Sequence, residues 1–358
     1  MRLSRIQGSN FRLFERFELA PQPGLNLILG ANAAGKTSLL EAIYALGRGR
    51  GFRSQPADLL RTGSPDWLLH GRLLQPERPE SSIGLAWSGE GLQIRMDQTD
   101  ARLEDIARGF PVQALQPESH RLLEDGPAYR RRYLDWGVFH VEHQFFPAWR
   151  RYQRVLKQRN QALKSGLSRA AVEAWNPELV STGLTVHACR QSNLDLLRGY
   201  LIAEIQRLLN EPDWAIELAS GWPAQQSLAE ALTGHYEQDR RQGKTTCGPH
   251  RAELRLKRAG HTAKKHISRG QQKLLVAALM LGQARLIAQH SACPPVLLVD
   301  DFPAELGASY QASLLAALTD YPGQIFLSAI ESTTALKSVP EAAVFHVEHG
   351  SVTPAKRV

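Results

Sequence analysis

Eight residues near the N-terminus constrain this chain more than any other feature. Gly30-Ala31-Asn32-Ala33-Ala34-Gly35-Lys36-Thr37 satisfies the spacing G-x-x-x-x-G-K-[ST] in full. The apolar run LNLIL before it reads as a buried strand. The stretch TSLLEAIYALGR after it carries Leu39, Leu40, Ile43, Tyr44 and Leu46 at helical spacing. A strand, a glycine-bearing loop and a helix N-terminus in this order turn successive backbone N–H groups toward a phosphate. The pattern therefore predicts a nucleoside triphosphate held by all eight residues. Lys36 would reach the β- and γ-phosphates and the Thr37 hydroxyl would meet Mg²⁺. A turn that merely contains lysine is the competing reading, and the flanking strand and helix speak against it.

A second constellation lies late in the chain. Val296-Leu297-Leu298-Val299-Asp300-Asp301 is an apolar strand run ending in two carboxylates, at what would be the ligand edge of a parallel sheet. Asp300 is expected in the magnesium shell. Asp301 is expected to orient or deprotonate attacking water, because phosphoryl transfer to water needs one group on the metal and another on the nucleophile. Between the two constellations, Ser268-Arg269-Gly270-Gln271 sits at a predicted helix start, with Ser268 as cap and Gly270 open to close backbone approach. Taken alone, those four residues are an ordinary capped helix.

The rest of the chain is organised around these motifs. Short alternating runs from Trp67 to Leu115 predict antiparallel strands flanking a nucleotide core. From Arg130 the apolar spacing becomes three and four, which predicts a helical lobe over 130–245. Strand character then resumes at AELRLKR, PVLLVDD and QIFLSAI. The expected architecture is an α/β head, 1–129 with 246–358, interrupted by that lobe. An apolar fraction of 43% and a charged fraction of 22% fit a folded globular chain and exclude disordered and fibrous classes. The longest uncharged apolar stretch, Leu274 to Ala284, is shorter than a membrane span, and Arg2, Arg5 and Arg12 interrupt the N-terminus, so a cytoplasmic protein is expected. Three scattered cysteines predict reduced thiols.

Lys plus Arg number 43 and Asp plus Glu 35, a balance of +8 that points to a polyanion. The excess is concentrated. No acid lies between Glu142 and Glu173, where seven cations fall, and none between Glu253 and Asp300, where eight fall. Arg150, Arg154 and Lys157 share one face of a predicted helix, 148–164, and become candidates for phosphate contacts on DNA, with Lys257, Lys264 and Lys265 in a second loop. GRGRGFR, with Arg48, Arg50 and Arg53, is a third basic loop, beside the nucleotide helix. His250 and the tryptophans 136, 149 and 175 are expected to be structural.

ISRGQQKLL is similar to the signature motif of ABC-type ATPases and stands in their order, after the phosphate loop and before the VLLVDD strand. With NFR, GANAAGKTSLLEAIY, GPAYRRRYLDWG, LKQRNQAL, TTCGPHRAEL and DDFPAEL, the whole chain resembles the RecF family of recombination mediators, relatives of SMC-type heads. The resemblance implies an ABC-type head with an inserted helical lobe and no long coiled coil. It further implies an ATP-dependent homodimer in which Ser268, Arg269, Gly270 and Gln271 of one chain meet the γ-phosphate held by the other. A weak, DNA-stimulated ATPase would then act as a switch. Implied partners are double-stranded DNA at gap junctions, with single-stranded DNA secondary, together with RecR, RecO indirectly, and the RecA pathway in gap repair and replication restart. An ATP-switched protein clamp with secondary DNA binding is the alternative. Departures from the wider ABC pattern are Arg269 in the signature, Gly307 closing Ala304-Glu305-Leu306-Gly307, and no histidine in QIFLSAIES. The Q-loop glutamine is either Gln113 or Gln116.

Overall fold

The apolar run ahead of the phosphate loop becomes the buried middle of a parallel sheet. The computed structural model describes residues 1–75, 79–265, 267–291, 293–302, 306–331, 336, 339 and 342–355. Its first elements are β1 (Arg2–Phe11), β2 (Phe14–Leu19), β3 (Leu25–Leu29), α1 (Lys36–Arg48), β4 (Trp67–Leu74), β5 (Ser81–Ser88), β6 (Gly91–Met96), β7 (Thr99–Asp100), α2 (Leu103–Gly109) and β8 (Val112–Leu115). The middle of the chain forms α3 (Arg121–Glu124), α4 (Pro127–Val141), α5 (Phe145–Lys164), α6 (Arg169–Glu173), α7 (Asn176–Leu209), β9 (Trp214–Ala219), α8 (Leu228–Gly234), α9 (Tyr236–Gln242), β10 (Glu253–Arg258) and β11 (His261–Thr262). It closes with α10 (Arg269–His290), β12 (Val296–Val299), α11 (Ala308–Thr319), β13 (Ile325–Ala329), β14 (Ala343–Glu348) and β15 (Ser351–Ala355).

Two compact units result. Met1–Ser119, Arg207–Leu209 and Lys273–Val358 make the first, and His120–Gln206 with Asn210–Gln272 the second. In the first unit, one sheet runs β15-β14-β3-β13-β12-β8, parallel except for the terminal β14–β15 hairpin. β3 has parallel partners on both sides and is buried at all five positions, which is why its sequence is continuously apolar. A second, antiparallel sheet runs β2-β1-β4-β5-β6-β7. In β4 the inward residues Trp67, Leu69 and Leu73 alternate with outward ones such as Leu68. Helix α1 lies in the core common to both sheets: Leu39, Leu40, Ile43 and Leu46 pack with Leu3, Ile6 and Trp67 of one and with Ile28, Leu298 and Phe326 of the other. Each such leucine contributes on the order of 2 kcal/mol by burial, so the helix that follows the phosphate loop is fixed from two sides.

The second unit is mainly helical. Leu134, Val138, Tyr152, Val155, Leu179 and Val186 of α4, α5 and α7 share one core. Its longest helix, α7, has 34 residues, and among the described residues there is no long coiled coil. The helical reading of 130–245 misses β9. Asn210 stops α7 in the left-handed region at φ 51°, and β9 then pairs antiparallel with β10, which pairs with β11. Among the described residues, no helix is long and apolar enough to cross a membrane. None of the three cysteines is in a disulfide.

Candidate nucleotide site and charged surfaces

The phosphate loop is shaped by two glycines. A Cβ at Gly30 would stand 2.3 Å from the Val347 carbonyl oxygen of β14, so only glycine lets the loop leave β3 there. Gly35 is the residue before α1 and has φ 118°, a conformation that side chains rarely adopt. No side chain caps α1 and its first turn holds no acid, so its first N–H groups remain available to an anion. Lys36 is buried, and its Nζ donates to the carbonyls of Gly30 at 2.8 Å and Ala31 at 2.9 Å. Burial lowers the ammonium below the ordinary lysine range, opposed by Asp301 and Asp300.

The two late carboxylates come to the same place. Thr37 Oγ1 donates to Asp300 Oδ1 at 3.1 Å, and Ser328 Oγ donates to the same oxygen at 2.8 Å. Ser328 Oγ also accepts the Asp301 N–H at 2.8 Å. The Asp300 amide is tied to the Leu115 carbonyl at 2.8 Å, which fixes the end of β12 against β8. Burial raises the Asp300 carboxyl above its usual range, against the lowering effect of its Ser328 and Thr37 hydrogen bonds. Asp301 is exposed and held at φ 57°, a strained position for a residue with a side chain. Ser328 escapes motif reading because it is one hydroxyl inside the apolar strand IFLSA, and it is fully buried. A lone polar residue in such a strand is the signal that marks it.

The cleft is completed from three other segments. It is lined by Asn32, Ala33, Lys36, Thr37, Asp300, Asp301 and Ser328, with Arg12, Phe52, Arg53, Gln116 and Glu118 around them. Gln116 lies in the cleft; Gln113 is buried in the sheet, its Nε2 donating to Gln283 Oε1 at 3.2 Å. Arg12, in the left-handed region at φ 53°, grips buried Glu41 through Nε at 2.8 Å and Nη2 at 3.1 Å. Arg53 forms an ion pair with Glu118, and Arg48 donates to the Val112 carbonyl, so two of the three arginines of GRGRGFR are engaged.

The signature residues Ser268 to Gln271 belong to the second unit. Ser268 caps α10: its Oγ accepts the Gln271 N–H at 3.3 Å, and its own N–H donates to Gln271 Oε1 at 2.8 Å. Ser268 and Arg269 are exposed and Gly270 half-buried. Ala304 and Glu305 lie outside the described residues, and Gly307 precedes α11 in an extended conformation.

Arg150, Arg154 and Lys157 are exposed on α5, with the Arg150 guanidinium 5.7 Å from the centre of the Phe146 ring. Three other cations of that acid-free window behave differently. Arg159 is fully buried against Asp239 at 2.7 Å, Arg151 pairs with Glu178 at 2.5 Å, and Arg169 with Glu173 at 2.8 Å. Lys257 pairs across strands with Glu217 at 2.8 Å, and Lys264 Nζ donates to the Glu124 carbonyl at 2.9 Å; the Lys265 side chain lies outside the described residues. Half-buried His250 bonds Tyr152 at 2.6 Å and the Thr245 carbonyl at 3.0 Å, and burial pushes its imidazole down to about 4.

A phosphate loop at the head of a parallel sheet, a carboxylate strand beside it and a flanking antiparallel sheet define a P-loop ATPase head of the ABC and SMC kind. Residues 2–353 match the RecF/RecN/SMC N-terminal domain family. The DNA replication and repair protein RecF of Shewanella baltica is 40% identical over 358 residues, covering 99% of each chain. Its namesake from Shewanella amazonensis is 39% identical over 360, covering 99% of this chain and 100% of that one. A solved recombination mediator RecF–ATP structure superposes with TM-score 0.88 at 24% identity over 99% of this chain and 97% of that one. An Smc head from Pyrococcus furiosus, with an extended coiled coil and the C-terminal domain of ScpA, gives 0.58 at 13% over 99% and 95%. The chain belongs to the RecF family.

Proposed function

We propose that this chain is an ATP-switched DNA-binding factor of DNA replication and repair. The observation that carries the reading is the convergence of Lys36, Thr37, Asp300 and Ser328 on one cleft at the end of a parallel sheet. The loop N–H groups and Lys36 hold the phosphates of ATP, and the signature residues of a second copy meet the γ-phosphate. The third phosphate then makes contacts only in the paired state and shifts the population toward the dimer.

Thr37 and Asp300 are the residues for Mg²⁺. Their oxygens already converge, and the partly desolvated Asp300 carboxylate gains most from a hard cation. The ion would supply charge neutralisation on the phosphates. Asp301 orients the attacking water, from a backbone position fixed by Ser328. Turnover on this scheme is slow and serves release. The exposed stripe Arg150, Arg154 and Lys157 takes duplex phosphates, and RecR, RecO and the RecA pathway are the proposed partners at single-strand gaps.

The pairing of Arg151, Arg159 and Arg169 with acids favours one second reading, a protein clamp in which DNA binding is secondary. Retention of a labelled duplex with ATP, with ADP and without nucleotide separates the two. Retention that rises with ATP alone is expected, and equal weak retention in all three leaves only the clamp.

A further inference from the structure

The signature residues are braced by an acid far from them in sequence. Helix α7 ends at Asn210, whose left-handed turn, closed by its N–H to the Gln206 carbonyl at 2.9 Å, directs the next residue, Glu211, away from the helix axis. Glu211 Oε1 accepts from Gln271 Nε2 at 2.8 Å, and its other oxygen pairs with the Arg258 guanidinium of β10 at 2.6 Å. The Gln271 amide is thereby fixed in one orientation: its nitrogen is committed to Glu211, so its oxygen faces the Ser268 N–H. With its N–H and one lone pair occupied inside the cap, Ser268 keeps its hydroxyl hydrogen for an outside acceptor.

We propose that Glu211 is a positioning residue for the signature: through the Gln271 amide it sets Ser268 in the geometry that receives a phosphate oxygen of a nucleotide held by a second copy of the chain. This rests on the preceding reading, that ATP pairs two chains through the signature. Without Glu211 the Gln271 amide loses its anchor and the Ser268 hydroxyl its fixed direction. The Gly30–Thr37 loop of the same chain is built from other residues and keeps its own nucleotide affinity.

The test measures dimerisation by light scattering against chain concentration with ATP, and nucleotide affinity with a fluorescent ATP analogue at concentrations where the chain is monomeric. E211A and Q271E each weaken ATP-dependent dimerisation about tenfold. Monomer affinity stays within about twofold, the split that a general loss of structure would not give. The exchanged pair E211Q/Q271E restores a donor opposite an acceptor and recovers dimerisation to within about threefold. If E211A does not fold, Q271E and the exchanged pair decide. Wild-type dimerisation by E211A, or an exchanged pair no better than Q271E, overturns the assignment. An unsubstituted chain that stays monomeric with ATP overturns the underlying reading first.

Discussion

The phosphate loop and helix α5 both stand out in the sequence by their residue types, and the structure treats them differently. Four of the eight loop residues, Asn32, Ala33, Lys36 and Thr37, line one cleft together with side chains from the ends of β12 and β13, far along the chain. The acid-free window over α5 and α6 breaks up: on α5, Arg159 points into the core, Arg151 finds an acid, and Arg150, Arg154 and Lys157 remain outward, while Arg169 finds an acid on α6. A loop motif specifies backbone shape through its glycines and its place between strand and helix, and shape is local. A charge deficit along the chain says nothing of charge in space, because Glu178 and Asp239 arrive from α7 and α9.

The largest effect that would sharpen this contrast is on stability. Asp239 is fully buried and accepts from Arg159 Nη1 at 2.7 Å, the Thr246 N–H at 2.8 Å and the Thr246 hydroxyl at 2.6 Å. D239A strands the Arg159 guanidinium and should cost about 3–5 kcal/mol by urea unfolding. R154A, on the solvent face of the same helix as Arg159, should stay within about 0.5 kcal/mol. Equal losses would mean that the outward stripe is structural as well.

In the cleft, K36R keeps the charge but not the compact ammonium that fits between the Gly30 and Ala31 carbonyls. ATP turnover should fall by about 10²- to 10³-fold while some nucleotide binding persists. Turnover at the unsubstituted rate would remove Lys36 from the chemistry. On α5, the triple reversal R150E/R154E/K157E should weaken duplex binding by at least about tenfold. Its salt dependence should become shallower by about 0.9 for each phosphate that the helix no longer neutralises. An unchanged slope would take that face off the DNA.

Legibility follows the same division. β3, α1 and β12 are readable because each is a strong periodic or continuous apolar run, and Asp300 is readable as the carboxylate that ends one. Spacing alone does not separate Gln113 from Gln116. β8 ends at Leu115, so Gln113 sits within the strand, opposite Leu297, and Gln116 is the first residue past the sheet edge where the cleft opens. Arg12 is hidden because its role depends on a left-handed turn between β1 and β2 that its own residue type does not announce. β9 is hidden inside a long helical pattern, since Trp214, Ile216 and Leu218 alternate with Ala215, Glu217 and Ala219 over only six residues before the helical spacing of α8 resumes.

Ser328 offers the smallest and most discriminating test. Its hydroxyl has one hydrogen, given to Asp300, and lone pairs that take the Asp301 N–H, so one side chain sets both carboxylates. In S328A the Asp301 amide loses its partner while its left-handed backbone keeps its cost, and Asp300 loses a hydrogen bond that holds its carboxyl down against burial. Stability should fall by about 1 kcal/mol. The larger consequence is positional: kcat for ATP should drop about tenfold with KM nearly unchanged, because the phosphate loop is untouched and only Asp300 and Asp301, the groups proposed to meet the metal and the water, are displaced. A rise in KM with kcat preserved would place Ser328 in nucleotide binding instead. The cleft would then resemble α5 after all, with a residue pair whose proximity in space does not translate into the chemistry its sequence position suggests.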